Sequence, residues 1–491
     1  MKAELYRLAG AAIVWKGVQL GSVKILHIVR LLVLARLLAP EDFGLLAIAT
    51  TASGFLLLVT DFGILPALVQ RAEIDEKHYH AAWTLGFVRG LVITGGLVLG
   101  ASVVAAIFHE PRAANIIRGL AIVTLVDQMA SVRLADLARN LKFRSIALTG
   151  IIKALADTIV AIALAQFLGV WALVAGALAG SAAYTAVSYM VAPYRPRLYL
   201  DKETVRGLVR FGRWILLTGL VAVTGAAVLR AVISYRLGTV ELGIYFLATK
   251  LAFLPAEIAK EVIGAVAFPL FAQLKADAQQ LLQVFRATLI GMCALLIPLC
   301  GLIILLAPSL IQNLLGSKWT AAVPIIQVFA IASIVSLIGE LTIALVHGLG
   351  QPSKATILEA IQSLLSVICA LLLVGDYGLV GVAMAWLIGI SISQGVGVGF
   401  TRRMLHCPFQ GLGAPIAAIC CVSLAGAVIA LGLDHLVHGL SGLVAGVLAG
   451  LVIVAGLLWY LDSRFDFGVG RSLLRAFPPL ARVIGLAPAT P

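Results

Sequence analysis

Residues 35–50, ARLLAPEDFGLLAIAT, interrupt a long apolar run with one proline and two acidic residues and then resume it at once. The interruption is too short for a domain, so it predicts a tight turn between two apolar helices. Residues 234–249, SYRLGTVELGIYFLAT, repeat this pattern at an offset of 199 without a gap. The paired positions include Asp42 with Glu241, Gly44 with Gly243 and Thr50 with Thr249. The sequence therefore predicts an internal repeat, with one copy of the turn in each half of the chain.

The composition is that of a membrane protein. Of the 491 residues, 61% are hydrophobic and only 12% are charged, and the mean hydropathy is +1.07. Soluble domains carry about 25% charged residues. Apolar runs close to the roughly 20 residues that span a bilayer recur along the chain, and runs of this length form helices rather than barrel strands. An all-α polytopic membrane protein is predicted. The first run, residues 11–39, lacks the small-residue cleavage site of a signal peptide and is expected to remain as a span.

Turn and charge clusters divide the chain into about fourteen predicted transmembrane helices. Their approximate bounds are residues 11–38, 43–69, 81–108, 114–137, 146–167, 169–192, 211–236, 242–271, 283–307, 321–347, 355–374, 378–400, 412–433 and 439–461. If the N-terminus is cytoplasmic, twenty Lys and Arg residues lie in cytoplasmic segments, against Arg112 and Lys318 in the outer loops. Lys and Arg gather on the cytoplasmic side of membrane proteins, so both termini are predicted to be cytoplasmic. The net charge of +13 then faces anionic lipid, and no nucleic-acid partner is expected.

The two copies of the turn are separated by six predicted crossings, so both run in the same direction through the membrane. Parallel repeats related by an axis along the membrane normal are a transporter architecture, with the substrate held between the halves. We expect two parallel six-helix lobes around a central cavity, followed by two further helices. The predicted divisions are residues 1–200 for the N-terminal lobe, 201–405 for the C-terminal lobe, 406–461 for the appended helices and 462–491 for a cytoplasmic interfacial tail.

Six stretches, in order along the chain, resemble the polysaccharide flippases, the Wzx-like (O-antigen) exporters of the multidrug/oligosaccharidyl-lipid/polysaccharide superfamily. They are LARLLAPEDFGLLAIATTASGFLLLVTDFGILPALVQR (34–71), GVWALVAGALAG (169–180), FGRW (211–214), LGIYFLATKLAFLP (242–255), LGSKWTAAVP (315–324) and GLGQPSKA (348–355). One position departs from the family pattern. An Asp-Arg pair often enters the seventh span in that family, and this chain has Leu229-Arg230 there, which puts an acid-dependent role at that position in doubt.

The resemblance implies a transporter of the bacterial plasma (inner) membrane. Such a protein moves an undecaprenyl-diphosphate-linked oligosaccharide from the inner to the outer leaflet by alternating access, for O-antigen, capsule or exopolysaccharide biosynthesis. The expected partners are this lipid-linked glycan and membrane lipid, with polysaccharide polymerase and chain-length proteins as further candidates. A monomer without a cofactor is expected, and coupling to H⁺ or Na⁺ is left open.

Cationic residues within the predicted spans are the first candidates for the site. A diphosphate must cross about 30 Å of hydrocarbon, which requires a polar and cationic cavity. A charged residue inside a span costs roughly 2.5–3.5 kcal/mol, so each one requires a functional or structural explanation. On the first span, Lys16, His27 and Arg30 fall within about 60° of one another, and Lys24 lies at the margin of this stripe. The candidate substrate-binding residues are Lys16, Lys24, His27, Arg30, Arg89, Arg230 and Lys250. The alternative is that these cations reach the interfaces or pair with acids.

Acidic residues within the spans are candidates for ion coupling. The candidate ion-coupling residues are Asp61, Glu257, Glu261 and Glu340. Lys250, Glu257 and Glu261 are predicted to share one face of the eighth span, where they would bind a coupling ion or form a salt-bridged helix contact. Lys153 and Asp157 lie four residues apart and are expected to neutralise each other.

Two other functions are considered. One is a cation-coupled small-molecule antiporter of the multidrug type, although a basic cavity would repel cationic drugs. The other is a membrane polymerase, ligase or glycosyltransferase, which would need a sizeable region outside the membrane. The longest internal loop is residues 193–210, and no nucleophile constellation or metal-ligand cluster stands out. The sequence therefore predicts a transporter rather than an enzyme.

Overall fold

α-Helices and short connections make up this computed structural model, which describes residues 2–60, 68, 75–199, 213–405, 408–437 and 439–465. Sixteen α-helices and no strand lie in these ranges, which confirms the all-α prediction. The helices are α1 (Lys2–Leu37), α2 (Pro40–Val59), α3 (Glu76–Ile107), α4 (Ala113–Gln128), α5 (Leu134–Arg139), α6 (Phe143–Leu168), α7 (Trp171–Val191), α8 (Arg213–Arg236), α9 (Thr239–Ala252), α10 (Leu254–Val262), α11 (Phe268–Gln273), α12 (Ala278–Leu310), α13 (Ala322–Gly348), α14 (Pro352–Leu405), α15 (Gly413–Leu436) and α16 (Leu440–Phe465).

The turn between α1 and α2 is as tight as the sequence predicts. Only Leu38 and Ala39 lie between the two helices. Ala39 is extended, with φ −79° and ψ 155°, and its N–H donates to the Asp42 carboxylate at 3.0 Å. Pro40 occupies the first helical position, where its missing N–H costs nothing. The proline and the two acids therefore belong to the first turn of α2, where each of them is favourable, and not to the connection itself.

The second copy of the turn has the same construction. α8 ends at Arg236 and α9 begins at Thr239, again with two residues between them. Gly238 stands where the first copy has Ala39, and its φ of 104° is a left-handed conformation that glycine adopts without a steric penalty. Glu241 lies in the first turn of α9, the place that Asp42 takes in α2.

The number of spans is compatible with a polytopic protein. Within the described ranges, eleven helices are long and apolar enough to cross a membrane, or twelve if the bent pair α9 and α10 counts as one span. α14 is 54 residues long but is interrupted at Gly378, and α4 has only 16 residues, inside the predicted fourth span. The predicted count of fourteen and the predicted lobe boundaries therefore stay predictions. Of the predicted tail, the structure describes the residues up to 465.

The chain forms two compact units that divide after Gly243. In unit 1, α6 packs extensively on α7 and α1, while α2 packs on α4 and α8. In unit 2, α12 packs on α13 and α15, α13 on α14, and α15 on α16. The core of unit 2 is apolar and includes the buried Phe271, Phe285 and Met292. The Arg30–Asp157 and Lys153–Asp127 pairs described below lie on α1, α4 and α6 of unit 1.

Candidate functional site

An ion pair between α1 and α6 is the centre of the candidate site. The Arg30 guanidinium lies 2.5 Å from the Asp157 carboxylate, and their side chains are only 20% and 12% exposed. Arg30 donates to Oδ2 of Asp157, whereas Oδ1 is buried and has no hydrogen-bond partner among the described residues. A buried carboxylate oxygen without a partner is costly, so this acid is held in an environment that would accept a proton or a cation.

A second ion pair lies one helical turn away. Lys153 of α6 donates to both oxygens of Asp127 on α4, at 2.7 and 2.8 Å, and its ammonium lies over the Tyr184 ring at 5.2 Å. The expectation that Lys153 and Asp157 neutralise each other was wrong as to partners. Each of them pairs with an opposite charge on another helix, Asp157 with Arg30 on α1 and Lys153 with Asp127 on α4.

Two glycines of α7 allow this close packing. Gly176 and Gly180 face α6, and a Cβ built on Gly176 would lie 2.8 Å from Oδ1 of Asp157. A Cβ built on Gly180 would lie 2.9 Å from the Lys153 carbonyl oxygen. Small residues four apart let helices in a membrane approach closely. The backbone of α7 therefore covers the acid on one side.

Unit 2 contains the same packing without the charges. Gly169 ends α6 with φ 54° and ψ −130°, and Gly378 interrupts α14 with φ 54° and ψ −135°. At this offset of 209, Gly389 packs against Ser366 and Gln362, as Gly180 packs against Asp157 and Lys153. The equivalent positions are Gly169 with Gly378, Gly180 with Gly389, Asp157 with Ser366 and Lys153 with Gln362. The backbone geometry repeats, and the ionisable residues belong to the first copy.

Four other predicted cations of unit 1 lie on α1 and α3. The Lys16 ammonium donates to the side-chain oxygen of Gln19 at 3.4 Å, while Lys24 is half-buried and His27 is exposed. Arg89 donates to the Leu57 carbonyl oxygen at 2.8 Å, near the end of α2. A cation at a helix C-terminus satisfies its last carbonyl groups, which gives Arg89 a structural role.

Arg230 lies on α8. Its Nη1 donates to the hydroxyl of Thr51 on α2 at 2.7 Å. Leu229, which stands where the family pattern has an acid, is buried at 3% exposure. Arg230 is therefore set into the α2–α8 contact, and the preceding position is part of the apolar core.

The predicted acids of unit 2 form two ion pairs. The Lys250 ammonium lies 4.0 Å from Glu257, and Lys260 lies 3.1 Å from Glu340 on α13. The eighth span is bent by 46° between α9 and α10, so Lys250 and Glu261 are not on one face of a straight helix as predicted. Pro255 at the start of α10 is the signal in the sequence for this break. Glu261 is exposed, and Asp61 lies outside the described residues.

An ionic cluster joins three connections at one end of unit 1; we call Glu41, Glu110, Arg112 and Thr239 the clasp. Arg112 donates to both oxygens of Glu110, at 2.8 and 2.9 Å, and also pairs with Glu41. The Thr239 hydroxyl donates to Glu110 at 2.8 Å. Hydrogen bonds from Arg112 above all, and from Thr239, hold the pKa of Glu110 below its ordinary value and outweigh its partial burial.

Sequence reasoning missed two features of this site. It assigned no transport role to Asp157, whose nearest charge in the sequence is Lys153 but whose partner is Arg30, 127 residues away. It also missed the clasp, because the charges come from three separate connections. A comparison of the sequence with itself at an offset of 209 aligns Gly169 and Gly180 with glycines and so indicates the close helix packing beside Asp157, but it does not identify Arg30 as the partner. Among the described residues, no group of three or more His, Cys, Asp or Glu side chains is arranged to hold a metal ion.

The comparison with protein families decides the classification. A sequence model of the family described as "Polysaccharide biosynthesis protein" matches residues 33–324, which is more than half of the chain. The chain belongs to this family. The match begins just before the turn between α1 and α2, and it includes Asp157 and the whole clasp.

Three curated relatives each match about two thirds of the chain. The chain is 26% identical over 321 residues to the succinoglycan biosynthesis transport protein ExoT of Rhizobium meliloti, covering 65% of each chain. It is 24% identical to the lipopolysaccharide biosynthesis protein WzxC of Escherichia coli, over 64% of this chain and 65% of that one. It is 23% identical to the teichuronic acid biosynthesis protein TuaB of Bacillus subtilis, over 66% and 68%. The matched region spans slightly less than two thirds of the first two relatives.

Solved structures show the fold of this family member. The lipid II flippase MurJ in its inward closed conformation matches with a TM-score of 0.71 at 16% identity, over 92% of this chain and all of that one. An inward-facing multidrug resistance MATE family transporter of the MOP superfamily matches with a TM-score of 0.65 at 15% identity, over 82% and 99%. At these identities the likeness establishes the fold alone. It extends beyond the region that the family model covers.

Proposed function

We propose that this protein moves an undecaprenyl-diphosphate-linked oligosaccharide from the inner to the outer leaflet of the bacterial plasma membrane by alternating access. Three relatives are named for the biosynthesis of succinoglycan, lipopolysaccharide and teichuronic acid, which are different polysaccharides. A step common to such pathways, rather than one sugar, would explain why one family serves them all. The likeness in fold to a lipid II flippase supports a lipid-linked substrate.

The observation that carries the proposal is the buried Arg30–Asp157 pair on the cationic stripe of α1. Arginine binds phosphate with two parallel hydrogen bonds, and Asp157 holds the guanidinium in place until a stronger anion arrives. Lys16, Lys24 and His27 share the stripe and would extend the path of the diphosphate. The mechanism is thus an exchange of Arg30 between a carboxylate of the protein and the substrate diphosphate.

The release of Asp157 from Arg30 would leave a buried carboxylate without a countercharge, which is costly unless it binds a proton or Na⁺. This supplies a physical reason for ion coupling at the same site. Glu257, Glu261 and Glu340 of unit 2, and Asp61, remain candidates for coupling as well. We infer from the distribution of Lys and Arg among the loops that both termini are cytoplasmic, which would put the clasp on the outer face.

The test uses a strain that lacks the gene, complemented with variants of the full chain. We expect Arg30→Ala to reduce surface polysaccharide at least tenfold and to accumulate the lipid-linked oligosaccharide in the inner leaflet, when strains with equal amounts of the protein in the membrane are compared. Arg118→Ala is the matched control, because Arg118 is exposed and donates to Asn115 and Ser102 rather than to an acid. Normal polysaccharide in the deletion strain, with a gain in sensitivity to cationic drugs, would replace this proposal by the multidrug antiporter.

A further inference from the structure

Three ionisable residues on α4 and α6 have neutral equivalents in unit 2. α4 and α13 begin at positions that differ by the same 209 residues as the glycines of the two units. At this offset the equivalent pairs are Asp127 with Ser336, Lys153 with Gln362 and Asp157 with Ser366. A Cβ built on Gly180 would lie 2.9 Å from the Lys153 carbonyl oxygen, and one built on Gly389 would lie 2.9 Å from that of Gln362. The helices pack in the same way without charges, so the charges of unit 1 require another explanation.

Lys153 lies near the middle of a helix that is long and apolar enough to cross a membrane. It is ten residues after Phe143, the first residue of α6, or about 15 Å along the helix axis. The Lys153 side chain is 37% exposed, and that of its partner Asp127 is 32% exposed. Hydrocarbon offers no hydrogen bonds and makes an exposed charge costly. We therefore expect this ion pair to face a polar, water-accessible region of unit 1.

Lys153 and Arg30 are held next to the same acid. Asp157 is four residues after Lys153 on α6, a spacing that puts two Cβ atoms about 5–6 Å apart, and it accepts a hydrogen bond from Arg30. Its carboxylate interacts electrostatically with both cations. The Lys153 ammonium is itself positioned by the two oxygens of Asp127 and by the ring of Tyr184. Two positioned cations at adjacent places match a ligand that has two adjacent anionic groups.

We propose that Lys153 binds the second phosphate of a lipid-linked diphosphate, next to the phosphate that Arg30 binds. Two phosphates that share a bridging oxygen are adjacent, as the two cations are, and in a diester each phosphate carries one negative charge. Lys153 would exchange Asp127 for a phosphate as Arg30 exchanges Asp157. The two cations together therefore select a diphosphate over a monophosphate. The inference rests on the proposed function, because it adds Lys153 to the same exchange.

Binding of two matched probes tests this selection. The full chain is placed in nanodiscs of phosphatidylcholine, which has no net charge. It is titrated with N-acetylglucosamine that is linked to farnesol through a diphosphate or through a single phosphate. We expect the wild type to bind the diphosphate about tenfold more tightly, because the second phosphate gains a charge-assisted hydrogen bond. A wild type that binds both probes equally, or neither of them, would overturn the inference.

Variants of Lys153 separate a contact with the ligand from a structural role. We expect Lys153→Met to lower the affinity for the diphosphate about tenfold and to leave the affinity for the monophosphate within about twofold. Lys153→Arg keeps the charge and should restore most of the preference. Gln362→Met, at the equivalent position of unit 2, is the matched control and should bind both probes as the wild type does. An equal loss of affinity for both probes in Lys153→Met would indicate a structural role and overturn the inference.

A double variant removes the effect of an unpaired acid. Lys153→Met leaves Asp127 without its cation, whereas Lys153→Met combined with Asp127→Asn removes both charges of the pair. We expect the double variant to melt close to the wild type and to lack the preference for the diphosphate. A double variant that regains the preference would show that Lys153 only neutralises Asp127, and the inference would fall.

The two proposals fail in different ways. If Arg30→Ala abolishes export while Lys153→Met exports polysaccharide and discriminates between the probes as the wild type does, Lys153 is not a ligand of the substrate and the proposed function stands. If deletion of the gene leaves surface polysaccharide and its lipid-linked precursor unchanged, the proposed function fails.

Discussion

Gly44 and Gly243, which the internal repeat aligns, lie against each other in unit 1. A Cβ built on Gly243 would lie 2.9 Å from the Gly44 nitrogen and would overlap the Pro40 carbonyl group. A Cβ built on Gly44 would lie 2.7 Å from Cγ2 of Thr239 and would overlap its carbonyl oxygen. Because Pro40 and Thr239 are also paired by the repeat, the two contacts are reciprocal. In each copy, the absence of a side chain at the glycine lets the first residue of the other copy's helix pack directly against the backbone.

This contact predicts that Gly44→Ala destabilises the protein. The added methyl group would meet backbone atoms, which cannot move aside as a flexible side chain does, so α2 and α9 must separate. Overpacking of this kind costs about 1–3 kcal/mol. We expect a lower melting temperature for the purified variant. Gly54→Ala on the same helix is the control, because its Cβ meets nothing within 4 Å and replacement of a helical glycine stabilises by roughly 0.5–1 kcal/mol. Equal melting temperatures for the two variants would contradict the packing of the turns.

The hydrogen bonds of the Glu110 carboxylate to Arg112 predict that the stability of the protein depends on pH. Hydrogen bonds from Arg112 lower the pKa of this carboxyl below its ordinary value of 4.5, so the folded protein binds the proton more weakly than the unfolded chain does. The stabilisation is therefore fully present above pH 4.5 and is lost as the pH falls through the lowered pKa of the folded state. We expect Glu110→Gln to melt below the wild type at pH 7, with a difference that narrows as the solution is acidified below 4.5. A difference that stays constant over this range would show that Glu110 does not act through its charge.

The Arg30–Asp157 pair predicts that stability and transport can be separated. Removal of one partner from a buried pair costs about 3–5 kcal/mol, whereas removal of both is often close to neutral. We expect Arg30→Met and Asp157→Asn each to lower the melting temperature, and the double variant to regain most of the loss. Export should be lost in all three, because Arg30 and Asp157 both act in the proposed exchange.

The equivalent position in unit 2 provides the control for this pair. The Ser366 hydroxyl is buried without a hydrogen-bond partner among the described residues, so Ser366→Ala removes no bond and should leave melting and export unchanged. A double variant of Arg30 and Asp157 that exports normally would remove the pair from the mechanism.

The turn residues show how much of the fold the sequence predicts. Pro40, Asp42 and Gly238 are local signals, since each acts through the backbone of its own turn, and the structure confirms the turns that they predict. The partner of Asp157 could not be predicted in this way. An acid in a membrane helix takes the cation that tertiary packing brings closest, and here that cation is on another helix. Oppositely charged residues at i and i+4 pair in an isolated helix. They form other pairs when neighbouring helices bring opposite charges closer.

Replacement of Glu257 is expected to abolish ion coupling without destabilising the fold. Its pair with Lys250 is 4.0 Å long, and the two side chains are 42% and 52% exposed, so the pair is expected to stabilise the fold by less than about 1 kcal/mol. Because this ion pair contributes little, we expect Glu257→Gln to leave the melting temperature within a degree or two of the wild type. The same variant should lower transport at least tenfold in proteoliposomes under an imposed H⁺ or Na⁺ gradient. Asp376→Asn, at an exposed acid of the same unit, is the control. Transport by Glu257→Gln that responds to both gradients as the wild type does would assign coupling to another acid, with Asp157 the first to test.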